Sequence, residues 1–155
     1  MSTIQLNTSF YSESPEATQE FAAQLAGSMR PGQWVLLHGP MGAGKTHFVR
    51  GFMRGLGMQE TWRIDSPTFT IMNFYDVGPG VHHLDLFRLQ DPNELDCLNI
   101  EDLLLSPSFK CVEWPDPLAP WLNEIQGYFI HIQPAAHWEQ ARTLQMMPLG
   151  LSNAP

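Results

Sequence analysis

The run Gly39-Pro40-Met41-Gly42-Ala43-Gly44-Lys45-Thr46 fits the pattern G-x-x-x-x-G-K-[ST]. Glycines let such a loop fold back so that its N–H groups converge on phosphate oxygens. A lysine in this place reaches the terminal phosphates, and the hydroxyl beside it holds Mg²⁺; here these are Lys45 and Thr46. The helix that follows adds its positive N-terminal end. Gly39, Met41, Gly42, Ala43, Gly44, Lys45, Thr46 and His47 are therefore the expected nucleotide-binding set. With glycine at about 7% of residues, the pattern arises by chance in roughly one chain in a hundred of this length, which disfavours a plain glycine-rich turn. The chain has only two lysines, Lys45 and Lys110, and one stands at the phosphate position.

Triphosphate hydrolysis on such a loop needs a carboxylate near Mg²⁺ and a group that orients the attacking water. Asp85, in Val81-His82-His83-Leu84-Asp85-Leu86-Phe87-Arg88, and Glu113, in Phe109-Lys110-Cys111-Val112-Glu113-Trp114, stand at strand ends. With Lys45 they form the expected catalytic set, and with Thr46 the expected metal set. Spacing does not rank the two acids as ligand and base, since Mg²⁺ keeps several waters and either acid can act through one. A solvated loop acid is the plain alternative for each. Ser66-Pro67-Thr68-Phe69 resembles a switch loop ordered by the γ-phosphate and Mg²⁺, with Thr68 or Ser66 supplying the hydroxyl; a Ser-Pro turn before a strand is the competing reading. Trp114 reads most simply as a core or half-buried anchor, with a place on the nucleotide side beside Glu113 as the alternative. Trp62 and Trp121 read as core or half-buried anchors. His82 and His83 point to opposite faces of a strand, and no H-x-x-x-H or C-x-x-C occurs, so no transition-metal site is expected.

These groups need elements to hold them. Trp34-Val35-Leu36-Leu37-His38 reads as a buried strand entering the loop. Lys45 to Leu56 reads as the helix leaving it, with Phe48, Val49, Phe52, Met53 and Leu56 at helical spacing. Ser14-Pro15-Glu16 starts an earlier helix, with Phe21, Ala22, Leu25 and Met29 as its apolar face and Pro31-Gly32 as its end. Met58 to Asp65 reads as a surface loop. Thr68 to Val77 and Val81 to Phe87 read as a hairpin around Gly78-Pro79-Gly80. Further strands are expected at Thr3 to Asn7, Phe109 to Trp114, Gly127 to Gln133 and Arg142 to Met147. Short helices are expected from Asp91-Pro92 to Leu98 and from Ile100 to Leu105. The order β-α-β-α-β-β-α-β-β-β predicts an α/β fold: a single P-loop NTPase domain over residues 1–147, with a mixed β-sheet flanked by helices. Strands without intervening helices argue against a purely parallel sheet. Residues 148–155 read as a disordered tail.

The chain has 155 residues, enough for one domain with a real core, and a formal net charge of −8. That charge disfavours direct tight binding to nucleic acid or anionic membranes. No basic region precedes an apolar run at the N-terminus, and no segment has the length of a membrane span, so cytoplasmic placement is expected by elimination. Cys97 and Cys111 read as two buried thiols.

With these motifs assembled, the chain resembles the TsaE (YjeE) family of small bacterial P-loop ATPases. The resemblance spans roughly Ser14 to Trp114. It rests on Gly42-Ala43-Gly44-Lys45-Thr46 with Arg50-Gly51-Phe52, on Ser66-Pro67-Thr68-Phe69-Thr70, on His83-Leu84-Asp85-Leu86-Phe87-Arg88-Leu89 and on Val112-Glu113-Trp114-Pro115. Asp91-Pro92-Asn93-Glu94-Leu95 is similar to the family's acidic helix opening. The segment after about Pro120 carries no strong family signal. The resemblance implies ATP and Mg²⁺ as cofactors and weak hydrolysis by the chain alone. It implies a role with the proteins TsaB and TsaD in making N6-threonylcarbamoyladenosine at position 37 of tRNA, which is met only through the complex. It also implies that Asp85 is the Walker B aspartate, Glu113 a second essential acid and Trp114 a required tryptophan, with Ser12 to Thr18 approaching the adenine. Two positions depart from the family: Pro40 replaces a common acid and cannot donate an N–H, and His47 replaces a common threonine.

Two other functions fit a bare P-loop. A small-molecule kinase needs an arginine-rich lid, and no such cluster occurs here. A nucleotide-binding adaptor without turnover differs from an ATPase only in rate. The absence of an Asn-Lys-x-Asp segment, as in GTPases, favours ATP over GTP.

Overall fold

The central strand β2 (Trp34–His38) alternates its side chains between two separate apolar layers. Val35 and Leu37 face one layer, built with α1 (Pro15–Ser28) and α2 (Lys45–Gly55); Trp34 and Leu36 face the other, built with α3 (Ile100–Leu105). Such period-two alternation makes a strand the middle sheet of a three-layer sandwich. In this computed structural model residues 7–136 and 139–150 are described.

The remaining strands are β1 (Thr8–Ser12), β3 (Met72–Tyr75), β4 (Val81–Asp85), β5 (Phe109–Glu113), β6 (Gly127–Pro134) and β7 (Arg142–Leu149). They form one sheet in the order β1-β7-β6-β2-β5-β4-β3. The inner strands β6, β2, β5 and β4 pair in parallel, while β7, β1 and β3 add antiparallel edges. The expected α/β class with a mixed sheet and flanking helices is what the chain adopts.

Ser14 caps α1 by accepting from the Ala17 N–H, and Pro15 occupies the first turn. The helix packs closely on α2. A Cβ placed on Gly51 would come within 2.2 Å of the Gln19 carbonyl oxygen, so only glycine permits this approach.

Several expectations need correction. The first strand is Thr8–Ser12, because β7 offers it an antiparallel partner from Thr8↔Met146 to Ser12↔Arg142. The expected strand at Thr3 to Asn7 lies outside the described residues except for Asn7. The strand expected from Thr68 starts only at Met72: Ile71 has φ +70°, and its N–H bonds back to the Pro67 carbonyl at 2.6 Å. The segment Pro92–Leu98 is 3-10 rather than α-helical. β7 continues through Pro148 and Leu149, so the tail boundary at 148 is too early; residues 151–155 lie outside the described residues. Cys111 is buried, but Cys97 is exposed. Trp62 is 69% exposed and anchors no core. Among the described residues, no helix is long and apolar enough to cross a membrane.

Candidate functional site

Parity along the sheet explains why the acids meet the loop. On β4, Val81 faces the α2 layer, so His83 and Asp85 do too; on β5, Phe109 and Cys111 face it, so Glu113 does too. The register pairs Asp85 with Glu113 and Leu37 with Glu113, which puts both acids beside the end of β2 where the glycine-rich loop begins.

The loop ends at Gly44, whose φ of +101° is a left-handed conformation that favours glycine. No side chain caps α2, and its first N–H groups have no intrahelical partner. They border a cavity of about 460 Å³ whose lining runs from Met41 to His47 and includes Thr68, Asp85, Glu113 and Trp114. Of the expected site residues, Gly39 alone is not part of that lining; its carbonyl instead accepts from Lys45 Nζ at 2.7 Å.

Lys45 is folded back. Nζ also donates to the Pro40 carbonyl at 2.9 Å and lies 4.0 Å from the centre of the Trp114 ring. Burial lowers the pKa of its ammonium, while the carboxylates of Glu113 and Asp85 raise it. Pro40 has no N–H to give a phosphate, but its carbonyl holds this lysine. His47 is also lowered, by burial first and then by Arg50 and Arg142, against an opposing pull from Glu16.

The two acids are held differently. Glu113, 3% exposed, accepts from Thr46 Oγ1 at 3.1 Å through Oε1, and its Oε2 lies 2.6 Å from His83 Nε2. Asp85 accepts from the Ser66 hydroxyl and from Thr68 Oγ1 at 2.9 Å through Oδ2, and from the Phe87 N–H at 2.9 Å through Oδ1. The Ser-Pro segment is thus tied to the site by both hydroxyls. Arg50 steadies its approach, donating from Nε to the Ile64 carbonyl at 2.8 Å and from Nη2 to Asp65 at 3.3 Å. A hydroxyl and two carboxylates are hard oxygen donors, a set that suits Mg²⁺. Among the described residues no three His, Cys, Asp or Glu side chains are grouped as a metal cage.

Sequence reading missed Arg142. It lies on β7, far along the chain, yet its Nε donates to the Ala43 carbonyl at 3.0 Å and its Nη2 to the Gly42 carbonyl at 3.1 Å. Its only sequence signal is an arginine opening a strand, which has no meaning until β7 is placed. His83 was dismissed with His82 as a metal pair, although the strand parity that separates them also turns His83 toward Glu113. Pro15 and Thr18, from the stretch expected near the adenine, line the cavity on the α1 side.

A family model described as "Threonylcarbamoyl adenosine biosynthesis protein TsaE" matches residues 12–144. The match continues through β6 into β7, well past the point where the motifs end. The chain is similar to the tRNA threonylcarbamoyladenosine biosynthesis protein TsaE of Haemophilus influenzae, 40% identical over 83 residues; the alignment covers 53% of this chain and 51% of that protein. It is 41% identical over 114 residues to the protein of the same name from Synechocystis, covering 70% of this chain and 71% of the relative. Its backbone is similar to the crystal structure of YdiB from Bacillus subtilis, with a TM-score of 0.75 and 26% identity over 96% of this chain and 90% of that one. On these matches, spanning both halves of the sheet, the chain belongs to the TsaE family, whose members are named for threonylcarbamoyladenosine biosynthesis.

Proposed function

We propose that the chain is a Mg²⁺-dependent ATPase subunit required for N6-threonylcarbamoyladenosine at position 37 of tRNA, working with TsaB and TsaD in the cytoplasm. The carrying observation is the bond from Thr46 Oγ1 to Glu113 Oε1, which joins the loop hydroxyl to the acid at the end of β5. The names of the relatives support the pathway. The net charge of −8 fits a subunit that meets tRNA only through a complex.

The amides at the start of α2 hold the phosphates of ATP, and Lys45 exchanges its carbonyl partners for their oxygens. Thr46 and Glu113 would hold Mg²⁺, which when bound would supply positive charge against the phosphoryl group being transferred. Asp85 keeps Ser66 and Thr68 drawn over the cavity, where they limit the paths open to water. Glu113, at the cavity wall, orients the water that attacks the γ-phosphorus as the bond to ADP breaks. Trp114 shields the lysine from solvent on the β5 side.

Phosphate release and calorimetry test this, for the chain alone and with TsaB and TsaD. Slow turnover alone and faster turnover with the partners are expected. Glu113→Ala should lower turnover by at least about tenfold, or ~1.4 kcal/mol of barrier, and change ATP affinity far less. No heat with ADP or ATP at millimolar Mg²⁺ would sink the nucleotide assignment. Parent-rate turnover by Glu113→Ala would sink the role given to that acid.

A further inference from the structure

His83 stands on β4 two residues before Asp85 and is fully buried. Its Nε2 lies 2.6 Å from Glu113 Oε2, and its Nδ1 is buried without a hydrogen-bond partner. That asymmetry selects the tautomer. A proton on Nδ1 would be a buried N–H lacking an acceptor, costing about 1–3 kcal/mol. It would also set the Nε2 lone pair against a carboxylate oxygen. A proton on Nε2 removes both penalties, and Nδ1 then keeps only a lone pair.

The consequence falls on Glu113. The last torsion of a glutamate is broad and roughly two-fold, so a carboxylate held at one oxygen can rotate. Here Thr46 donates to Oε1 and His83 to Oε2. The imidazole sits fully buried on β4, the strand beside the acid's own β5, and leaves Oε1 as the oxygen turned toward Thr46. We infer that His83, in its Nε2–H form, is a positioning residue that locks the Glu113 carboxylate so that Oε1 serves the magnesium ion of the bound nucleotide. The inference rests on the function proposed above.

Three variants test it. In His83→Gln the amide reaches about as far as the imidazole Nε2. In His83→Asn it is too short, and in His83→Leu it is absent. The measurement is the Mg²⁺ concentration that half-saturates ADP binding, followed by calorimetry, with melting temperature recorded alongside. Loss of an outer hydrogen bond to a metal ligand costs about 10–100-fold in metal affinity, so Leu and Asn should raise the midpoint by at least about tenfold and Gln by much less. In a Glu113→Ala background, which removes both carboxylate oxygens, His83→Leu should add no further rise, an outcome that a general loss of stability would not produce. If the Leu variant fails to fold, the split between Gln and Asn decides. Midpoints that match the parent in the Asn and Leu variants overturn the inference while leaving the ATPase reading intact. If the parent itself binds no nucleotide, the ATPase reading fails instead. The ring nitrogens of His83, observed by NMR in the free chain, then decide. A proton on Nδ1 with none on Nε2 overturns the lock; a proton on Nε2 whose signal moves in Glu113→Gln upholds it.

Discussion

Replacing Arg142 with alanine asks whether the last strand braces the phosphate loop. The side chain makes two bonds into that loop, from Nε to Ala43 O at 3.0 Å and from Nη2 to Gly42 O at 3.1 Å. Its Nη1 bonds to Glu139 O and Ala141 O, both at 2.8 Å, tie down only its own neighbourhood. A hydrogen bond from a charged donor contributes about 1.5–3 kcal/mol when buried. Ala43 is fully buried, but Gly42 is exposed, so water repairs one of the two losses. The net cost is then about 2 kcal/mol. For a domain of this size ~1 kcal/mol moves the melting temperature by about 2–4 °C, giving a fall of roughly 4–8 °C.

If the lost order must be restored when ADP binds, affinity falls by up to roughly thirtyfold, since ~1.4 kcal/mol is tenfold. Arg142→Lys separates bracing from simple attraction. Lysine keeps the charge but lacks the planar fork that spans two carbonyls. Bracing therefore predicts that Lys recovers less than half of the lost affinity, while attraction to phosphate predicts nearly full recovery. Calorimetry with ADP and thermal melts read both quantities. An alanine variant that binds ADP within about twofold of the parent, well under 1 kcal/mol, refutes the reasoning.

Lys45→Ala should abolish measurable triphosphate binding and also lower the melting temperature by a few degrees, because it leaves the buried Gly39 carbonyl without its ammonium partner; retained binding would count against the phosphate role. Thr46→Ala should raise the Mg²⁺ needed for half-saturation by about tenfold and Thr46→Ser should not; equal midpoints for the two variants would remove Thr46 from the metal site. Lys110 is fully buried, donates to Ser106 O at 2.6 Å, and burial lowers its pKa to about 8. An unfolded lysine titrates near ~10.4, so between about pH 8 and pH 10.4 the unfolded chain binds more protons and stability rises with pH. Urea unfolding should show the parent gaining up to about 3 kcal/mol over Lys110→Met across that window, and parallel profiles would contradict the assignment.

The parts of the fold that local chemistry dictates were legible in the sequence. The strand–loop–helix around Gly39 to Thr46 follows from a continuous apolar run, glycines and helical spacing, and it matches β2 and α2 nearly residue for residue. Ser14-Pro15-Glu16 marked the start of α1 because capping is a local event. What failed depended on partners remote in sequence. Thr68 to Ile71 has strand composition, but the Ser66 and Thr68 hydroxyls are drawn to Asp85 and the backbone turns at Ile71. Residues Thr8–Ser12 find their antiparallel partner in β7, near the other end of the chain, so no local signal shifts the expected strand from Thr3 to Asn7 onto them. Asp85 and Glu113 stand at strand ends in the sequence, but that Glu113 meets the Thr46 hydroxyl and Asp85 those of Ser66 and Thr68 is not legible there. Arg142 and His83 act through contacts 99 and 30 residues away along the chain, which no spacing rule reveals.

Trp114 links these halves of the site. Its φ of +56° is uncommon for a bulky residue and costs about 1–3 kcal/mol. The surrounding contacts show what holds it there. Its N–H bonds to Leu37 O at 3.2 Å, its ring packs on Phe87 at 4.9 Å, and Lys45 Nζ sits 4.0 Å from the ring centre. An ordinary extended continuation of β5 would carry the residue after Glu113 to the opposite face of the sheet, away from the loop. The left-handed turn instead returns the indole to the side of the lysine, directly after the acid that meets Thr46. A tryptophan required only for packing has no need of that backbone; one that must stand over the loop cation, next to a carboxylate fixed from behind by His83, does.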